Sequence, residues 1–205
     1  MWSKFNEDSL EYYTASLFYE SNGLAYHNMD HIQKCYEYLE GMNVPYNEDL
    51  DYAVLFHDVV YDENPEKEKR SAEFLLERWP TRTKAADIIM ATANHTITPD
   101  TDELSRWMIR ADLHALGSVH AAIVNYVNIM AESMYLYDIS AIEFAENTAS
   151  FMLKLRETVD NNTSTDGPEY VDFWNDVKFG VQTETSTVPA SISVMLQCDG
   201  MAVGR

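Results

Sequence analysis

The sequence predicts a mostly helical protein, and three observations carry that prediction. Apolar residues recur at helical spacing in one stretch after another. Residues that start and stop helices separate those stretches. Aliphatic and aromatic residues make up 46% of a 205-residue chain, which is enough to bury a sizeable core.

The elements follow in order. Residues 8–22 place Leu10, Tyr13, Leu17 and Phe18 on one helical period, with Asn22-Gly23 as the stop. A second helix begins near Tyr26, runs to Leu39 and stops at Gly41. Asn47 or Asp49 caps a third, which holds the apolar run from Ala53 to Tyr61. Asp62 to Pro65 breaks the pattern. Glu66 to Trp79 reads as a charged amphipathic helix ended by Pro80, and Thr83 to His95 as a more apolar fifth. Thr96 to Asp100 is a loop, and helices at about 101–116, 118–135 and 139–160 follow. Residues 161–168 read as a linker, Glu169 to Phe179 as a short last helix. The final 25 residues, rich in Thr, Ser and Val, read as a flexible tail or an added strand. The expected organisation is one domain over residues 1–160, then a linker, short helix and flexible or strand-like tail over 161–205.

Charge narrows the partners. A net charge of -20 repels nucleic acid polymers, so none is expected. It leaves room for a small phosphorylated substrate, because a bound cation inverts the local field. No apolar run is long enough for a membrane span. The opening Met1 to Asp8 lacks the basic and apolar regions of a signal peptide. Cys35 and Cys198 are far apart and read as reduced thiols, so a cytoplasmic location is expected, a host's cytoplasm if the chain is viral. The late helices could supply a face for a homo-oligomer.

The chemistry centres on His57-Asp58, in the run Phe56-His57-Asp58-Val59. Polar groups in such surroundings are costly unless something binds them. Neighbours on a helix point about 100° apart, so the pair can face one point only near a helix end or an unwound turn. His27 and His31 are four residues apart and would share one helix face. Asp112 is an acid flanked by apolar residues, and Asp62, Glu63, Glu68 and His95 are secondary candidates. Singly, each has a plain reading as a cap, an ion-pair partner or a satisfied core residue. Together, ligand types recur in the order His, His-Asp, Asp on an apolar background, which points to a divalent metal.

The sequence resembles the HD-domain superfamily of metal-dependent phosphohydrolases. The segments that carry the resemblance are Tyr26-His27-Asn28 with His31, Phe56-His57-Asp58-Val59-Val60-Tyr61-Asp62, and Asp112-Leu113-His114-Ala115-Leu116-Gly117. Glu68 with Ser71-Ala72 and Ala91-Thr92 with His95 add to it. It covers residues 10–120 well, 121–160 loosely and 161–205 not at all. Lys67-Glu68 stands where the family often has Asn-Glu. The resemblance implies an all-α HD-type helical bundle with a divalent metal (Mn, Mg, Zn or Fe) held by His31, His57, Asp58 and Asp112. It implies hydrolysis of a phosphoester or phosphoanhydride of a nucleotide or related small molecule by metal-activated water. His27 is then the first candidate for protonating the leaving group, with direct ligation of the metal as the rival role. Asp62 and Glu68 are candidates for orienting water or holding a second metal. Lys34, Lys67, Lys69, Arg70 and Arg110, together with His95, are candidates for holding the substrate. Within the class, cyclic-nucleotide and alarmone hydrolysis stay open, and a nucleotide-sequestering protein without turnover is the alternative.

Overall fold

A computed structural model describes residues 2–182, without the side chains of residues 119–122. The described residues are helical, with no strand among them. The tail or strand expected over the last residues lies almost wholly outside them. The chain divides into two compact units, Met1–His114 and Ala115–Arg205.

The first unit holds α1 (Leu10–Asn22), α2 (Met29–Gly41), α3 (Glu48–Phe56), α4 (Lys67–Arg78), α5 (Thr83–Ala91) and α6 (Glu103–Leu113). α3 is its axis, packed against each of the other five. Every residue from Leu50 to Phe56 is buried, as expected of a helix without a water-facing side. Side-chain caps start the helices: Ser9 for α1, Asn47 for α3 and Asp102 for α6 each accept from backbone N–H groups of the first turn. α1 ends at Gly23, whose φ of 62° suits a residue without Cβ.

A strap from the chain's first residues is fastened to α3. Trp2 donates its Nε1–H to the Val44 carbonyl at 2.7 Å. Ser3 Oγ and the Lys4 amide donate to the two carboxylate oxygens of Asp51 at 2.6 and 3.0 Å. The Phe5 ring meets the edge of Tyr52 at 4.9 Å.

Two helix boundaries differ from expectation in ways that matter for the site. α2 begins at Met29, not near Tyr26, because Asn28 is its cap and accepts from the amides of Asp30 and His31. His27 therefore lies ahead of the helix and does not share a helical face with His31. α5 stops at Ala91, and His95 sits beyond it with φ 53°.

In the second unit a 3₁₀ turn leads into α7 (Val119–Tyr137) and α8 (Ala141–Thr165). Tyr126, Phe144 and Ala145 form their common core with Ile129, Met130 and Ile139. α8 runs five residues into the stretch expected as a linker. A turn at Pro168–Tyr170 and a helix over residues 171–182 (α9) follow. The buried Trp174 donates Nε1–H to Asp166 Oδ2 at 2.8 Å, fixing α9 to the end of α8. Gly180 lies against the Leu116 carbonyl so closely that a Cβ there would meet its oxygen at 1.8 Å.

Candidate metal centre

Three helices of the first unit deliver four donors to one place. His31 comes from the first turn of α2 and Asp112 from the last turn of α6. His57 is the residue that ends α3, and Asp58 follows it out of the helix. That helix end is what lets two adjacent side chains face one point. His31 Nε2 lies 3.2 Å from His57 Nε2 and 3.2 Å from Asp112 Oδ1. His57 Nε2 lies 3.0 Å from Asp58 Oδ2 and 3.6 Å from Asp112 Oδ1. All four ligand atoms fall within 4.8 Å of one another. A metal ion with bonds of about 2.0–2.2 Å sets neighbouring ligand atoms about 3.0–3.5 Å apart, close to the separations of 3.0–3.7 Å here, so the donor set could hold one.

The tautomer of His57 agrees with that fit. His57 Nδ1–H donates to the Val54 carbonyl at 2.9 Å, which leaves Nε2 of the neutral ring as a bare lone pair aimed into the cluster. Two imidazole nitrogens and two carboxylates so close together, and so buried, need a cation between them. Without a metal, protons play that part. Burial pushes the His57 imidazolium down, but the charges of Asp58 and Asp112 outweigh it and hold the ring well above the ordinary histidine value. Burial pushes the Asp58 carboxyl up, yet the charges of His57 and His27 bring it to about 2. Asp112 is likewise pushed up by burial and held well below the usual carboxylate range by hydrogen bonds from His31, His57 and His95.

Around the donors stand groups that orient them. Asp112 turns Oδ1 to the cluster and accepts from His95 Nε2 on Oδ2 at 2.9 Å. His95 holds a left-handed backbone to do so, which costs a residue with a Cβ of order 1 kcal/mol. Burial lowers the pKa of His95, and its bond to Asp112 with the charges of Asp112, Asp58 and Glu68 raises it overall. Glu68 is thus within electrostatic reach of this side of the cluster. His27 stands beside Asp58, its Nε2 4.0 Å from Oδ2. Its ring stacks on Tyr61 with centroids 3.6 Å apart.

Other predicted residues are placed elsewhere. Asp62 and Arg70 pair with each other. Lys67 lies over the Tyr61 ring and Lys69 pairs with Glu66. Lys34 is exposed on α2. Arg110 is buried, with its guanidinium over the Trp107 ring. The sequence reading missed Cys35, one turn beyond His31, whose buried Sγ lies 3.9 Å from His31 Nε2. Spacing alone could have found it. Tyr61 stacks on His27 and carries Lys67 over its ring.

No helix among the described residues is long and apolar enough to cross a membrane. In comparisons with known proteins, no family model, no curated protein and no solved structure matches the chain.

Proposed function

We propose that this chain is a metal-dependent phosphohydrolase of the HD type, cleaving a phosphoester or phosphoanhydride of a nucleotide or nucleotide-derived small molecule. The observation that carries the reading is the solvent access of the four-donor cluster. The side chains of His31 and His57 are 1% exposed, whereas those of Asp58 and Asp112 are 10% and 14% exposed. Solvent thus reaches the donors from the carboxylate side, where His27 and His95 are 13% and 22% exposed. Structural metal sites are closed all round, and catalytic ones keep a side open for water and substrate.

His31, His57, Asp58 and Asp112 would hold the ion. A divalent ion so held acidifies water and neutralises phosphoryl charge. The chain's own groups do the rest. His27, on the open side, is placed to give a proton to the leaving oxygen. His95 keeps Asp112 turned toward the cluster. Along α1 a cavity of about 720 Å³ is lined by Glu7, Glu20 and Asp30 together with Tyr12, Tyr13 and Leu17, and this acidic wall is unsuited to a phosphate.

Metal analysis combined with hydrolysis of a nucleotide panel tests the proposal, with manganese added and cyclic and alarmone species included. His57→Ala and Asp58→Ala are expected to lose the metal and at least about a hundredfold of turnover. Equal turnover by wild type and both variants overturns it. Tight nucleotide binding with no product in a single turnover replaces it with a sequestering protein.

A further inference from the structure

Three consecutive residues of the loop that follows the ligand pair, Val60, Tyr61 and Asp62, are held by the first half of α4. Ser71 Oγ accepts from the Val60 amide at 3.1 Å. Lys67 Nζ lies 3.8 Å above the centroid of the Tyr61 ring. Arg70 pairs with Asp62. The middle residue of the three carries His27 on its ring, 3.6 Å away and only 20° from parallel. A stack that tight leaves no room for a second group on the same face, so His27 and Lys67 take opposite faces of Tyr61. The edge of Tyr26, 87° from the His27 plane at 4.8 Å, closes the imidazole in from another direction.

His27 has no helix to hold it, because α2 starts two residues later. A histidine in an irregular segment would lose much of its time to wrong rotamers, and a proton donor a fraction of an ångström out of place loses rate steeply. We infer that Tyr61 is a positioning residue: gripped from behind by Lys67, it presents an aromatic face that fixes the His27 imidazole with Nε2 toward Asp58. Lys67 and Arg70, with Asp62, then serve the loop that bears Tyr61, which is a different task from holding phosphate. The inference rests on the reading of His27 as the group that protonates the leaving oxygen. In that step the Nε2–H proton passes to the ester oxygen as its bond to phosphorus breaks, and the electron pair leaves with that oxygen.

Two esters of nearly the same shape separate positioning from general damage. p-Nitrophenyl phosphate releases a weakly basic oxygen that departs without a proton, and phenyl phosphate releases one that needs it. In the manganese-loaded full chain, Tyr61→Leu is expected to lower kcat on phenyl phosphate at least about tenfold and on p-nitrophenyl phosphate less than about threefold. KM and bound manganese should not change. Tyr61→Phe keeps the ring and should restore the wild-type ratio between the two esters, and Lys67→Met should shift it in the direction of Tyr61→Leu by a smaller factor. Equal losses on both esters, or none on either, overturn the inference. If the wild type hydrolyses neither these esters nor any member of the nucleotide panel, the hydrolase reading falls while the stack stays measurable. The ring-current shift of the His27 Cε1 proton should then be present in wild type and Tyr61→Phe and absent in Tyr61→Leu. A shift that Tyr61→Leu leaves in place overturns the positioning role itself.

Discussion

At His57 a proton and a metal ion compete for the same nitrogen. Nδ1 is committed to the Val54 carbonyl, so whatever cation the cluster holds must sit at Nε2, between Asp58 and Asp112. In the cation-free protein the ring is held protonated well above its ordinary value. It binds its proton more tightly folded than unfolded. The stability this contributes is therefore fully present below the unfolded value of about 6.5 and is lost as pH rises through the raised folded value. The melting temperature of chelator-treated protein is expected to fall as pH is raised above neutrality, and manganese is expected to remove that fall. A cation-free melting temperature that climbs over the same range would contradict it. The convergence of His31, His57, Asp58 and Asp112 was expected from the order His, His-Asp, Asp together with the family resemblance, which alone chose His31 over His27. The partners of the basic residues were not. Lys67, Lys69 and Arg70 found a ring or a carboxylate within a few residues of themselves, which composition cannot rank against a ligand.

Among the elements, α2 shows how a cap can hide inside a motif. The Asn28 side chain accepts from the amides of Asp30 and His31 and donates to the carbonyls of Leu24 and Ala25, each at 3.1 Å. It stitches the loop that carries His27 to the helix that carries His31. Asn28→Ala is expected to cost about 1–2 kcal/mol in urea unfolding, against about 1 kcal/mol for Asn47→Ala, whose side chain makes a single cap contact. Equal costs would show that the two loop bonds carry no weight. In the sequence, Tyr-His-Asn-Met-Asp-His reads as a string of ligands, and the capping role of its asparagine is invisible until the backbone turns. The end of α8 was misread for a related reason. Asn-Asn-Thr-Ser-Thr looks like a linker. Yet Thr163, Ser164 and Thr165 donate their hydroxyls back to carbonyls four residues earlier, and Asn162 is buried. Polar residues that satisfy themselves within a helix carry no outward sign of it. The stops at Gly23 and after Trp79 were plain, since glycine and proline act on the backbone directly.

For the molecule as a whole, 34 acidic residues against 14 basic ones make self-repulsion a standing cost of compactness. The first unit answers it locally, with Arg82 against Glu48 and Lys84 against Asp102. Exposed pairs such as these contribute little each, so screening should help more than it harms. Raising sodium chloride from low to physiological strength and beyond is expected to raise the melting temperature, and a steady decrease would show that paired charges dominate. The all-helical class was readable throughout, because helix period and helix stops are local signals. How the chain divides into units depends on which distant faces meet, and no local signal records that. The strap at the chain's beginning carries a practical corollary of the same kind. Asp51 is shut away from water, and Ser3 and Lys4 are laid across its carboxylate, which also takes hydrogen bonds from Tyr36 and Tyr46. An affinity handle joined directly to Trp2 would crowd that latch, and trimming the first four residues would take two donors from a carboxylate in the interior, about two helical turns upstream of His57 and Asp58.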